Sequence, residues 1–338
     1  MPSLLLATEK TGKSAGGIMK LRVFLMIFAV TFLAAVAVSA DTMRVGVVLS
    51  IGGLGDESFN DAAYQGIMQL RKEGDYVVEV VEPGSISGIE PALRYFCQRD
   101  MDMVCAVGIF ANDAVRRIAA EFPESRIVLI DSVVTMPNVL SILFDEEQGS
   151  FYAGAFAALS SKSDIVGFLG GMDSPVIASF ERGFTNGVKF VKPQATVLSH
   201  YIGSTPEAFD MPEKAFNLGM DMAKQGADLI YHASGRSGLG LIQASRRGNY
   251  LVIGVDSDQS RTAPGKVPAS MVKRIDNALV KAAEIMRKDA FAGGIWTMSL
   301  QDHGIELVHS RFNRDLLNAD ALARLKEIEE FLMYKTAR

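Results

Sequence analysis

Short apolar segments alternate with amphipathic segments of helical period from residue 43 to the end of the chain. The apolar segments are rich in Val and Ile and mostly continuous, as expected of parallel strands that are covered on both faces. This pattern predicts eight strands, at Arg44–Ser50, Tyr76–Val81, Met103–Gly108, Arg126–Asp131, Ile165–Gly170, Val197–Ile202, Leu229–His232 and Leu251–Val255. It also predicts helices at Asn60–Lys72, Ile89–Arg99, Asn112–Phe122, Gln148–Ser160, Ile177–Val191, Glu213–Lys224, Leu239–Arg247, Asp276–Lys288 and, in the tail, Asp320–Met333. Ser58 is the expected N-cap of the first helix, and Gly74 is its expected stop.

Eight strand–helix units are more than one sheet holds comfortably, and the two halves of the chain have similar layouts. Each half has a glycine-rich stretch that is expected to follow its first strand, at Gly52–Gly55 and at Gly170-Gly171. We therefore expect an α/β protein of two doubly wound parallel-sheet lobes that face each other across a cleft. The expected boundaries are residues 41–144 with 274–302 for lobe 1 and residues 145–273 with 303–338 for lobe 2.

The N-terminus has the pattern of a secretory signal peptide. Basic residues precede an apolar run from Val23 to Val38 that only Thr31 interrupts, and small residues follow at Ser39 and Ala40. The run is 16 residues long, which is shorter than the roughly 20 residues of a membrane-spanning helix, the alternative interpretation. We expect residues 1–40 to be a signal peptide, with Met19 as a candidate for the true start. No Cys stands directly after the run, which predicts a free periplasmic protein without a lipid anchor.

Charge and cysteine usage restrict the possible partners. The formal charge of −5 becomes −8 without residues 1–40, because four basic residues and one acidic residue are removed. This acidic balance argues against nucleic acid as a partner. Cys97 and Cys105 fall in a predicted helix and in the next strand, so two buried free thiols are expected, with a disulfide as the alternative. The spacing of Cys and His residues predicts no metal site, and no cofactor is expected.

Polar and aromatic residues cluster where the predicted strands end, which is where open α/β sheets bind ligands. Carboxylates there can accept hydrogen bonds from paired hydroxyl groups, and Phe rings can stack on a base or on the apolar face of a sugar. The set therefore suits a neutral, polyhydroxylated ligand with a flat ring. Each Asp could instead cap a helix, and each Phe could belong to the core. The residues concerned are Asp56, Ser58, Phe59, Asn60, Asp61, Asp131, Met172, Asp173, Phe180, Ser234–Gly238, Asp256, Asp258 and Lys273.

Enzymatic signatures are weak. None of the four His residues lies in a Gly-x-Ser-x-Gly or His-Glu-x-x-His motif, and a phosphate-binding loop is absent from the sequence. His232 ends a predicted strand and is expected to be a hydrogen-bonded core residue. A nucleoside hydrolase would need more carboxylates than Asp56 and Asp61 after the first strand. We therefore expect a binding protein and not an enzyme.

At these same strand ends the chain resembles the basic membrane protein family, the substrate-binding components of ABC importers, whose best-understood branch is the purine-nucleoside receptors. The resemblance covers about Val45 to Val308 and implies a type I periplasmic-binding fold that closes on its ligand by a hinge. It also implies a permease partner, and we expect a monomer that contacts the membrane only through that permease. The matching motifs are residues 56–60, 130–134, 137–139, 149–154, 166–172, 180–184, 233–235, 254–259 and 270–274.

Site residues follow from the resemblance position by position. It implies that Phe59 and Phe180 sandwich a base, that Asn60 and Asp131 address the polar edge of the base, and that Asp256 holds the ribose hydroxyls. Gly235 and Lys273 would complete the sugar site, and the candidate binding set also includes Ser50, Asp56, Ser58 and Met172. Two residues depart from the family pattern: Ser50 and Gln148 stand where many members have Asp and Glu. Ser50 leaves a sugar or sugar-like ligand as the alternative to a nucleoside, and Gln148 is interpreted as a structural difference.

Overall fold

The structure is a computed structural model that describes residues 42–335. The signal peptide expected at residues 1–40 lies outside the described residues. Twelve strands occur in the described part of the chain. They are β1 (Met43–Val48), β2 (Tyr76–Val81), β3 (Met103–Val107), β4 (Ile127–Ile130), β5 (Val139–Phe144), β6 (Ile165–Met172), β7 (Thr196–Gly203), β8 (Leu229–Ala233), β9 (Leu251–Asp256), β10 (Ala269–Lys273), β11 (Gly294–Met298) and β12 (Ile305–His309).

Nine α-helices separate or follow these strands in the same part of the chain. The first ends at Gly74, whose φ of 81° is the left-handed conformation that glycine adopts easily at a helix end. The helices are α1 (Phe59–Glu73), α2 (Ile86–Cys97), α3 (Asn112–Glu121), α4 (Glu146–Ser160), α5 (Pro175–Val191), α6 (Pro212–Lys224), α7 (Ser237–Ser245), α8 (Ile275–Arg287) and α9 (Ala319–Lys335).

The strands form two six-stranded sheets, in the orders β11-β5-β4-β3-β1-β2 and β12-β10-β9-β8-β6-β7. All neighbours within the sheets are parallel except β10 and β12, which run antiparallel. Helices α1, α2, α3 and α8 pack with the first sheet, α4 to α7 pack with the second, and α9 packs against α4. We call these two layered units the first and second lobes. The α/β fold of two mostly parallel sheets is therefore confirmed.

The chain passes between the lobes three times. It leaves the first sheet after β5 and enters α4, it returns after β10 into α8, and it crosses again between β11 and β12. Strands β5, β11 and β12 are absent from the predicted set, and β10 appears there only as an apolar stretch ending at Lys273. Strand β11 is mostly exposed at a sheet edge, so it lacks the continuous apolar pattern of the central strands.

The glycine pair Gly170-Gly171 does not follow its strand. The prediction is wrong here, because both residues lie inside β6. Neighbouring side chains leave no room for a larger residue at either position. A Cβ on Gly170 would lie 2.7 Å from the ring of Tyr201, and one on Gly171 would lie 2.6 Å from the ring of Phe209. These glycines therefore make room for aromatic side chains of the second lobe and do not form a loop.

Candidate functional site

A cavity of about 730 Å³ lies between the two lobes. Its walls come from segments that follow the carboxyl ends of strands in both sheets, which is the expected ligand position in open α/β sheets. Nine of the eleven predicted site residues line it: Ser50, Asp56, Phe59, Asn60, Asp131, Phe180, Gly235, Asp256 and Lys273.

The remaining two predicted residues, Ser58 and Met172, lie outside the cavity lining. Met172 is the last residue of β6 and packs against the apolar cluster on one face of the second sheet. Ser58 is fully buried, and its Oγ donates a 2.7 Å hydrogen bond to Oδ2 of Asp256. Ser58 therefore contacts a cavity residue of the opposite lobe without reaching the cavity itself.

The first wall is organised by the carboxylate of Asp56. It accepts hydrogen bonds from the backbone N–H groups of Ser58 and Asn60, each at 2.9 Å, and from that of Asp61 at 3.2 Å. Ser58 occupies the N-cap position of α1, as expected, but its side chain makes no capping hydrogen bond, and Asp56 instead accepts from the first N–H groups of the helix. Burial raises the pKa of Asp56, and the backbone hydrogen bonds act in the opposite direction.

The amide of Asn60 is also held by the protein. Its Nδ2 donates to Asp56 at 3.0 Å, and its Oδ1 accepts from the backbone N–H of Ser50 at 2.9 Å. This network fixes the end of β1 beside the start of α1. Asn60 therefore positions the backbone of this wall in addition to presenting its amide to the cavity.

Two aromatic rings face the cavity from opposite lobes. Phe59 begins α1 in the first lobe, and Phe180 lies on α5 in the second. The ammonium of Lys273 is 5.4 Å from the ring centroid of Phe59 and 5.7 Å from that of Phe180, within the range of cation–π attraction. The ammonium of Lys273 therefore lies close to both rings and can attract the face of each.

The ammonium of Lys273 is held by two carboxylates. Its Nζ lies 2.6 and 2.7 Å from the oxygens of Asp131 and 2.9 Å from Oε1 of Glu146. The side chains of Lys273, Asp131 and Glu146 are only 1%, 9% and 14% exposed. Burial raises the pKa of Glu146 to about 7, partly countered by Lys273. The three donor positions of Lys273 are therefore engaged, so a ligand would reach this group mainly through Asp131.

Asp256 is the cavity carboxylate on the second lobe. It is the last residue of β9 and adopts a φ of +64°, and Asp131 adopts a φ of +70° after β4. Such left-handed conformations are uncommon for residues other than glycine and concentrate at functional sites. Burial raises the pKa of Asp256 to about 6, while the charge of Lys273 and the hydrogen bond from Ser58 act against this rise. A carboxylate has about four acceptor positions, so Ser58 leaves capacity for ligand hydroxyls.

The cavity also contains groups to which the sequence pattern assigns no role. Phe110 of the first lobe and Phe209 of the second contact each other edge-on, with ring centroids 6.3 Å apart. Arg236 lines the cavity and donates to two backbone carbonyls of the opposite lobe. All three lie in connections after strands, where apolar periodicity gives no signal. Arg236 belongs to the strand-end segment Ser234–Gly238 that the sequence does indicate, but the sequence gives it no specific role.

His232, the two cysteines and Gln148 lie as the sequence predicts. His232 is buried and bonded to Ser234 and Gln259 at 3.1 and 2.9 Å, which confirms it as a hydrogen-bonded core residue. Cys97 and Cys105 are both buried and form no disulfide. Gln148 accepts from the backbone N–H of Leu300 at 3.0 Å, which agrees with its interpretation as a structural residue.

Residues 42–335 contain neither a metal-binding cluster nor a membrane-spanning helix. No set of three or more His, Cys, Asp or Glu side chains in this range is arranged to hold a metal ion. None of the helices in the same range combines the length and apolar character that crossing a membrane requires.

A cleft between two α/β lobes, lined from both sides by aromatic and carboxylate residues, defines a hinged small-molecule-binding protein. The sequence profile of the family described as "ABC transporter substrate-binding protein PnrA-like" (Bmp) matches residues 43–334. The chain belongs to this family. As a member, it is a substrate-binding protein that acts with the permease subunits of an ABC transporter.

Individual relatives agree with this assignment. The chain is 30% identical over 281 residues to an uncharacterized lipoprotein of Pyrococcus furiosus, covering 78% of this chain and 70% of that one. It is 28% identical over 305 residues to basic membrane protein B of Borreliella burgdorferi, covering 85% and 88%. The fold is similar to that of an ABC transporter solute-binding protein from Aeropyrum pernix, with a TM-score of 0.79 at 23% identity, covering 87% and 92%. The resemblance to the basic membrane protein family is confirmed.

Proposed function

We propose that this protein captures a nucleoside, most naturally a purine nucleoside, in the cleft between its lobes. The observation that carries the proposal is the placement of Phe59 and Phe180 on opposite walls of one cavity, with the Asp256 carboxylate in the same cavity. A flat base between two Phe rings gains stacking energy of about 1–3 kcal/mol per ring. A ribose beside Asp256 offers the paired hydroxyls that a carboxylate accepts.

The hydrogen-bonding groups assign a direction to the bound ligand. Asp131 and Ser50 belong to the first lobe and are suited to the polar edge of the base, whereas Asp256 and Gly235 belong to the second lobe and are suited to the sugar. Lys273 is fully engaged by Asp131 and Glu146, so its role is to fix the Asp131 carboxylate and to supply positive charge beneath the rings. This differs from direct donation to the sugar, which the family resemblance implies for Lys273.

A sugar without a base is the second candidate, and Ser50 is the observation that favours it. Ser50 lines the cavity and stands where many family members have an Asp that helps to read the base. A hydroxyl can donate or accept, whereas a carboxylate only accepts, so the pattern of base recognition must differ at this position. A nucleoside hydrolase is the third candidate, and it requires a metal-bound water that the described residues are not arranged to hold.

Export is a further part of the proposal. The apolar run and Val38-Ser39-Ala40 support cleavage after Ala40 and release as a free periplasmic protein. The relative in Pyrococcus furiosus is named a lipoprotein, whereas the proposal here is a protein without a lipid anchor. The intact mass of the exported protein distinguishes free release from lipid anchoring. A mature chain that begins at Asp41 without added mass supports free release. A lipid adduct or an uncleaved N-terminus contradicts it.

The ligand class can be tested on the purified protein before the ligand itself is identified. Native mass spectrometry of the protein as isolated detects a retained ligand by its mass, and thermal-shift measurements then compare purine nucleosides, pyrimidine nucleosides and free sugars. The proposal predicts that purine ribonucleosides raise the melting temperature most, because ligand bound only by the folded state stabilises it. Stabilisation by sugars alone contradicts it. Release of free base from inosine would instead indicate the hydrolase.

A further inference from the structure

The glycine-rich loop Gly52–Gly55 presents backbone carbonyl groups across the cleft. Its shape depends on Gly53 and Gly55, which have φ values of +65° and +81°. The N–H of Leu54 donates to Oε2 of Glu82 at 2.9 Å, and a Cβ on Gly53 would lie 2.8 Å from the same oxygen. The left-handed backbone therefore favours glycine at position 53, and a Cβ there would also displace the Glu82 carboxylate that binds Leu54.

Arg236 of the second lobe binds this loop from the opposite side of the cleft. Its Nη2 donates to the carbonyl oxygens of Gly52 and Leu54, both at 3.0 Å. Its Nε lies 3.6 Å from Oδ1 of Asp210, which is in the same lobe as Arg236. The guanidinium is planar and always charged, so its donors are fixed in direction once this ion pair orients it.

The exposure of this contact distinguishes it from the buried ion pair of Lys273 at the chain crossings. The Lys273–Glu146 ion pair lies at two of the chain crossings, because Lys273 ends β10 and Glu146 begins α4, and Lys273 is 1% exposed. The side chain of Arg236 is 34% exposed, so its bonds lie at the outer edge of the cleft. A bond far from a hinge is stretched more by a given rotation than a bond beside it. Opening of the lobes would therefore stretch the Arg236 contacts more than the buried Lys273 ion pair.

We propose that Arg236 is a positioning residue that holds the lobes closed over the ligand and thereby sets the rate of ligand release. The inference rests on capture of a ligand in the cleft, as proposed above, and does not depend on that ligand being a nucleoside. The bonds join protein to protein, so Arg236 favours the closed state whether or not a ligand is bound. Its loss should raise the dissociation rate much more than it changes the association rate.

The first test measures the distance between the lobes in the ligand-free protein. Cys97→Ser and Cys105→Ala remove the native thiols, and Asp113→Cys on α3 and Lys214→Cys on α6 provide exposed labelling positions, one on each lobe. Pulsed electron paramagnetic resonance then gives the distance distribution. We expect Arg236→Ala to shift the distribution towards longer distances. Arg236→Lys keeps the charge and donors for a carbonyl and should lie between the wild type and Arg236→Ala.

The matched control is Arg246→Ala. Arg246 also donates a guanidinium N–H to a backbone carbonyl, that of Thr262, but both residues belong to the second lobe. Its loss should leave the distance distribution unchanged. Identical distributions for Arg236→Ala and the wild type would overturn the proposal, as would an equal shift in Arg246→Ala. Because these distances are measured without ligand, failure of the nucleoside assignment cannot produce either result.

The second test follows ligand release by stopped-flow, with inosine as the probe. Loss of charge-assisted hydrogen bonds should raise the dissociation rate of Arg236→Ala by about tenfold or more, with the association rate changed by about twofold at most. Arg246→Ala should match the wild type in both rates. A dissociation rate unchanged in Arg236→Ala would contradict the assigned role. If inosine does not bind the wild type, the proposed function fails while the distance measurement still decides the role of Arg236.

Discussion

Lys273, the last residue of β10 in the second sheet, forms a buried salt bridge with Asp131, which follows β4 in the first sheet. Burial alone would lower the pKa of Lys273, but the carboxylates of Asp131, Glu146 and Asp256 outweigh it, so the pKa lies above its usual value. The ammonium is therefore charged throughout the physiological range. This one cation balances carboxylates from both lobes at the base of the cavity.

Removal of the cation should destabilise the fold. Lys273→Met would leave Asp131 and Glu146 buried without their partner, which typically costs about 3–5 kcal/mol of unfolding free energy. Chemical denaturation at pH 7 measures the change. Lys288→Met is the control, because Lys288 forms an exposed pair with Glu284 and its loss should cost less than about 1 kcal/mol. Equal effects of the two substitutions would show that the buried pair contributes no more than a surface pair.

The destabilisation of Lys273→Met should depend on pH. Without the cation, the buried carboxyl of Glu146 loses the charge that lowers its pKa, so it takes up a proton more readily in the folded state than in the unfolded state. The folded state then binds more protons than the unfolded state, so its stability falls as pH rises. We expect Lys273→Met to lose less stability at pH 5 than at pH 7, relative to the wild type at each pH. If Lys273→Met loses the same amount of stability at pH 5 and at pH 7, the proposed cause of the pH dependence is contradicted.

The two aromatic rings should contribute to binding. Phe59→Ala should weaken nucleoside binding by about 1–3 kcal/mol, as expected for loss of one stacking partner. Phe180 is only 3% exposed and packs in the core, so Phe180→Ala should weaken both binding and folding. Titration calorimetry and thermal melting separate the two effects.

A core aromatic residue outside the cavity provides the matched control for these variants. Phe96 is fully buried in the first lobe and does not line the cavity. Phe96→Leu should lower the melting temperature and leave the dissociation constant unchanged. If Phe59→Ala behaves in the same way as Phe96→Leu, Phe59 is a core residue and does not stack on the ligand.

Ligand affinity should fall in mild acid because of Asp256. Ligand hydroxyls donate to the ionised carboxylate, and its pKa of about 6 means that protonation competes with binding below that pH. One pH unit below the pKa, the affinity should be lower by about tenfold. Asp56, Asp131 and Lys273 also face this group, and the pKa of Glu146 is about 7, so the dependence must be assigned with a variant.

Asp256→Asn supplies that assignment. It should bind a ribonucleoside more weakly at pH 7 and should lose most of the change in affinity between pH 5 and pH 7. A pH profile like that of the wild type would assign the titration to another group, such as Glu146. The raised pKa also implies that the folded protein binds the Asp256 proton more tightly than the unfolded chain. This group therefore makes unfolding easier as pH rises from about 4 to about 6.

The sequence predicts the architecture well because the central strands and the helices carry strong local patterns. Strands such as β3 are buried along their whole length, and this produces continuous apolar runs that are easily recognised. Strand β12 is the antiparallel edge of its sheet and is only partly buried, so its pattern is weak. Edge strands are in this sense the part of an α/β fold that local periodicity describes least.

The site is predictable from the sequence only where it coincides with strand ends. Asp131 and Asp256 can be identified because each follows a recognisable apolar run. The partners of Lys273 cannot, because Glu146 comes close to it only through the packing of segments that are 127 residues apart in sequence. The contact of Arg236 with Gly52 has the same origin. Contacts between segments far apart in sequence are set by tertiary structure, which the local sequence does not encode by itself.

Recognition of a ribonucleoside requires both halves of the proposed site, with the base between Phe59 and Phe180 and the hydroxyls on Asp256. Isothermal titration of the wild-type protein with inosine, 2′-deoxyinosine and ribose tests both halves in one experiment. We expect one-to-one binding of inosine, with 2′-deoxyinosine and ribose each weaker by about tenfold or more, because a polar site rejects ligands that leave its groups unpaired. Equal affinity for inosine and 2′-deoxyinosine, or binding of ribose but not of inosine, would contradict this assignment.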